Sequence, residues 1–127
     1  MKRHGSMLVE LMAAAVLLAA AGAISVELAA AVGAGRRAIA DRQLALQEAA
    51  NLMERLTAMP LGDLSSEAAR NLPLSAEGQR LPGAKTTIEI TDVDGPLAAV
   101  RVAVSIRWED RGGVPLPPVR LVAWRYP

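Results

Sequence analysis

The chain has no cysteine, no phenylalanine and a single histidine, His4. Without Cys there can be no disulfide, no thiolate chemistry, no lipid attachment through sulfur, and no Cys-based zinc or iron–sulfur centre. Aromatic residues make up 2% of the 127 positions although apolar residues make up 52%, so the apolar mass is chiefly Ala, Leu and Val. Net charge is also scarce. Fourteen Lys and Arg stand against thirteen Asp and Glu, leaving +1. That balance argues against a nucleic-acid binder held by bulk electrostatics. Proline is missing from residue 1 up to Pro60, so nothing there forbids one long helix. The length predicts a single domain.

What is present begins at the front. Residues 1–5 read Met-Lys-Arg-His-Gly, short and basic, and no charge occurs from Leu11 to Val26. Counted from Met7, the apolar stretch holds 20 residues with one acid, Glu10, near its start. About 20 residues at ~1.5 Å each span a ~30 Å hydrocarbon core, so a transmembrane helix is expected. Lys2 and Arg3 precede it, which places the N-terminus in the cytoplasm by the positive-inside bias, with the rest of the chain on the other side. A cleaved secretory signal, with Ala21-Gly22-Ala23 as its cut site, and a plain signal anchor share these features. Glu10 fits them poorly, because a carboxylate in an apolar segment costs a few kcal/mol and marks a functional candidate by default.

Gly5-Ser6-Met7-Leu8-Val9-Glu10-Leu11 resembles the cleavage and methylation motif of type IV prepilins and type II secretion pseudopilins. In that family a basic leader ends in Gly, a prepilin peptidase cuts after it, the new terminal amine is methylated, and a Glu stands fifth in the mature chain. The resemblance implies processing at Gly5 and Ser6, and an assembly role for Glu10 opposite the Ser6 amine of a neighbouring copy. It implies as partners the prepilin peptidase, other pilins or pseudopilins, an inner-membrane assembly platform and membrane lipid. The motif departs from the family at the first mature residue, usually Phe and here Ser6. Small size, the lack of a Cys pair and a short β region resemble minor pseudopilins more than major pilins. The chemistry supports the motif residues: Gly lets a backbone pass closely through a protease site, and a charge pair buried between helices can fix subunit register.

From Gly33 to Met59 the pattern predicts an amphipathic helix, with Ile39, Leu46, Ala49, Met53 and Leu56 as the stripe facing the protein's own sheet. Residues 6–58 then form one helix, in which Gly22, Gly33 and Gly35 are places to bend or unwind. Residues 60–83 are a connecting region. There Ser65 or Ser66 caps a short helix over Glu67–Leu72, and Pro73 stops it. Residues 84–127 read as strands. Thr86, Ile88 and Ile90 alternate with polar residues, and a turn over Asp92–Pro96 follows. Val100, Val102, Val104, Ile106 and Trp108 form the best strand, Glu109–Gly113 a hairpin loop, and Pro118–Tyr126 a last strand whose inward face is ambiguous.

The expected fold is therefore α+β: a long N-terminal helix packed on a small three-stranded antiparallel sheet. Its parts are a leader (1–5), a membrane and assembly helix (6–30), an amphipathic continuation (31–59), a connecting region (60–83) and the sheet (84–127). The soluble part, about 90 residues, has a modest core. If the leader is removed, residues 6–127 hold neither His nor Cys. No catalytic residue, cofactor or metal is then expected. The serines have no partner base but Lys85, and Asp92 and Asp94 supply too few oxygens for Ca²⁺, which takes ~6–8. A non-catalytic filament subunit is the expected function. The alternative is a membrane-anchored or secreted accessory domain that binds a partner through its sheet.

Overall fold

The computed structural model describes residues 4–70, 72–94 and 98–127, with side chains from Met7 onward. The helix α1 runs His4–Ala58, 55 residues. It is helical through Gly22, Gly33 and Gly35, so none of the three unwinds it. The chain divides into two units, Met1–Arg37 and Ala38–Pro127.

In the first unit, large apolar side chains point outward all round the helix. From Met7 to Leu28 none is less than 62% exposed. Ser25, the uncharged polar residue within this stretch, donates its hydroxyl to the Ala21 carbonyl one turn back (2.9 Å). That bond removes the cost of an unpaired hydroxyl among apolar neighbours. The segment is one helix long and apolar enough to cross a membrane.

In the second unit, the rest of α1 packs on a three-stranded antiparallel sheet in the order β1-β2-β3. The strands are β1 (Lys85–Val93), β2 (Ala99–Arg107) and β3 (Val119–Arg125). The fold is thus α+β, as the hydrophobic pattern implies. Strand β1 continues through Asp92 and Val93, which the sequence reading placed in a turn; Gly95 and Pro96 of that turn lie outside the described residues. Asp92 opposes Val100 and Val93 opposes Ala99, so ladder pairing with β2 extends the strand to its end.

The helix face that meets the core differs from the expected stripe. The buried seam is Ala45, Ala49, Leu52 and Leu56, at spacings of four, three and four. Ala49 and Leu56 were expected there. Ile39 and Leu46 instead lie open, and Met53 sits at the margin of the core. Adjacent helix positions differ by about 100°. In a helix with apolar residues on most sides, weighting the large side chains therefore chose a neighbouring face. Across the seam lie Val102, Val104, Ile106 and Trp108 from β2 and its end, and Val119 from β3. Val119, Leu121 and Ala123 turn inward, while Arg120, Val122 and Trp124 turn out, which settles the face of the last strand.

The connecting region carries a helix α2 (Ser66–Arg70) and two single turns of 3₁₀ helix, Leu61–Asp63 and Gly78–Arg80. Ser65 is the cap of α2: its Oγ accepts the Ala68 amide (3.2 Å). Of the expected extension to Leu72, Asn71 lies outside the described residues. The hairpin loop between β2 and β3 is closed by Asp110, whose Oδ1 accepts the amides of Gly112 and Val114, each at 2.8 Å. Gly113 there has φ +79, a conformation that favours glycine.

Candidate functional site

The three residues marked by the motif fall in the first two turns of α1. Gly5 and Ser6 have helical backbone, and Met1, Lys2 and Arg3 of the expected leader lie outside the described residues. The first amides of a helix have no partner within it, so a bond placed there is opened at lower cost than one in the helix interior. Glu10 is exposed, with Met7, Ala13 and Ala14 as its described neighbours one turn away. It makes no ion pair among the described residues, where the salt bridge is Arg120–Glu89 on the sheet. Glu10 is therefore an exposed carboxylate near the start of an apolar surface that carries no other charge as far as Val26. The geometry places Glu10 five positions from Gly5 on the same helix, with its side chain exposed.

Among the described residues no three His, Cys, Asp or Glu are grouped to hold a metal ion. Asp92 and Asp94 are both exposed, the first at the end of β1 and the second just after it.

One polar cluster was not legible in the sequence. Glu48, on the core side of α1, is 3% exposed. Its carboxylate accepts both the amide (3.0 Å) and the hydroxyl (2.5 Å) of Ser75. The Ser75 Oγ in turn accepts the Gly78 amide (3.1 Å). A Cβ on Gly78 would lie 2.7 Å from the Glu48 carboxyl, so only glycine fits beneath it. Lys85 is thus not the single group available to a serine, as the sequence reading had it: Ser75 has a carboxylate partner. The carboxylate is committed to the Ser75 amide as well, and the hydroxyl to Gly78, so the cluster pins residues 75–78 to the helix. Two guanidinium groups serve the same region: Arg55 donates to the Pro73 carbonyl (3.3 Å), and Arg125 to that of Met59. The signal available in the sequence was Glu48 itself, an acid one position from the seam residue Ala49, but nothing local identified Ser75 as its partner.

No protein-family model, no characterised protein and no solved structure matches this chain at a significant level.

Proposed function

We propose that the chain is a non-catalytic subunit of a pilus-like filament, a minor pseudopilin or pilin. In this reading it is cut between Gly5 and Ser6 and methylated on the new amine. It waits in the inner membrane with its N-terminus in the cytoplasm and the sheet-bearing unit outside. Its partners are the prepilin peptidase, neighbouring pilin-type subunits and the assembly platform. The observation that carries the reading is the exposed apolar surface of α1 from Met7 to Val26, interrupted by one acid, Glu10, which makes no ion pair among the described residues. Lipid covers such a surface in the membrane, and the apolar helices of other subunits cover it in a filament. A carboxylate is costly in either place until a cation meets it. The Ser6 amine of an adjacent subunit lies at a matching depth and has the opposite charge. The motif around Gly5 supplies the route by which that amine is made.

Mass spectrometry of the chain extracted from membranes tests this. The expected N-terminus is methylated Ser6, and Gly5→Glu leaves the chain uncut. A mature start at residues 24–31 would mean an ordinary secretory signal and would end the filament reading.

A further inference from the structure

The outward face of the sheet differs from the rest of the second unit in charge and in aromatic content. Alternation along the strands sends Val102, Val104 and Ile106 to the core and leaves the opposite face to solvent. By register, Lys85 lies beside Arg107 at one end of that face and Arg101 beside Trp124 at the other. Between them Arg120 and Val122 project from β3. Within the three strands, the outward positions carry four cations and one anion, Glu89. Arg120 pairs with Glu89 at 3.0 Å, which leaves Lys85, Arg101 and Arg107 without a partner acid on the strands. Glu109, just past β2, is folded against Gly83. Trp124 is 50% exposed and Val122 44%, and Tyr126, just past β3, is 61% exposed.

We propose that this face docks an acidic surface of another protein, one that presents Asp or Glu side chains around a small apolar centre. The idea goes beyond the filament reading, which uses the N-terminal helix and makes no demand on the sheet. Two features favour a protein over a nucleic acid. The Arg101 guanidinium stands 5.9 Å from the centre of the Trp124 ring, so one ring face is already occupied by a cation. A strand of bases needs successive free ring faces, and the outward face offers none beyond Trp124 and Tyr126. In contrast, Trp, Tyr and Arg around a buried apolar centre are the residues that dominate protein interfaces. Val122, 44% exposed between Arg120 and Trp124 on the outward face, supplies that centre. Arg forks take carboxylates in two parallel hydrogen bonds, which selects acids on the partner.

The chain itself supplies a reporter, because its lysines are Lys2 and Lys85. Purified full-length protein in non-ionic detergent is titrated with a peptide alternating Glu and Val, with its Lys and Val counterpart, and with a twelve-residue oligothymidylate. Binding is read from tryptophan fluorescence, and a carbodiimide then joins amines to carboxylates in contact. The expected result is saturable, salt-sensitive binding of the acidic peptide and a covalent adduct at Lys85 that Lys85→Arg abolishes. Binding weakens at least tenfold in Arg101→Glu and, as a second variant with an exposed side chain, in Arg107→Glu. Trp124→Phe removes most of the fluorescence change. Any of three results overturns the proposal: no saturable binding of the acidic peptide, tighter binding of the oligothymidylate, or an adduct joining two copies of the chain in place of peptide. Since no filament is present in the assay, its failure is distinct from failure of the filament reading.

Discussion

Gly78→Ala is a one-carbon perturbation whose cost depends on a residue 30 positions away in sequence. Gly78 does not have a positive φ, so Ala is conformationally permitted there. The obstacle is steric: the new Cβ would lie 2.7 Å from Cγ, Cδ and Oε2 of Glu48, closer than real Cβ contacts come. Glu48 cannot swing aside without releasing Ser75. Overpacking of this kind costs about 1–3 kcal/mol. Glu48→Ala alone loses two hydrogen bonds to a charged group, at about 1.5–3 kcal/mol each. Water reaches exposed Ser75, so the lower end applies and the total is about 3 kcal/mol. In the double variant the clash has no second party. Gly78→Ala on the Glu48→Ala background should then be neutral, or stabilising by about 0.4–1 kcal/mol through reduced freedom of the unfolded chain. The assay is urea unfolding of detergent-solubilised full-length protein, followed by the fluorescence of buried Trp108, for the wild type, both singles and the double. A double-variant cost equal to the sum of the singles within about 0.5 kcal/mol would refute the argument, because it would show that the two residues do not touch.

Two further outcomes follow from the same structure. Leu52→Ala, at a fully buried seam position, should cost about 2–5 kcal/mol, whereas Leu46→Ala on the open side should stay within about 0.5 kcal/mol; equal costs in urea unfolding would restore the stripe first inferred from the sequence. Glu10→Leu should insert into membrane at least as well as the wild type, since it removes a charge from an apolar segment. It should nonetheless be depleted from sheared or co-purified filament material, because the neighbouring amine then lacks its partner. Undiminished incorporation would leave Glu10 without a part in subunit register.

Legibility followed the strength of the local period. Val102, Val104 and Ile106 alternate with polar or small residues, and their inward placement was readable because a period of two allows two faces, of which one was clearly apolar. The face of β3 was not readable, since Val122 and Trp124 on one side are as apolar as Val119 and Leu121 on the other. The cationic, aromatic outer surface only appears once register brings Arg101 beside Trp124 of that strand and Arg107 beside Lys85 of β1. On α1 the seam uses Ala45 and Ala49 in a helix where alanine occurs on most faces, so the sequence held no contrast to mark it. Glu48 was hidden for a related reason. A lone acid in an amphipathic helix is assigned to solvent unless its partner is known, and Ser75 lies 27 residues on. At the N-terminal site the residue types and their spacing were fully visible in the sequence. The structure adds that Glu10 is exposed and unpaired among the described residues.

The composition of the core also sets a schedule for synthesis. The seam of α1 ends at Leu56, but the buried residues clustered with it extend through Leu64, Ala69 and Leu81 to β2 and β3, the last of them Val119. A ribosome adding about 5–20 residues per second needs about 3–13 s to supply the intervening chain. For that interval the helix is complete while the cover over its apolar seam is not, because β3, an edge strand paired only with β2, is made last. The nascent chain thus passes through a stage vulnerable to proteases and to association with other exposed helices. Folding holdases that recognise apolar helical segments would act in that interval, before β3 closes the core.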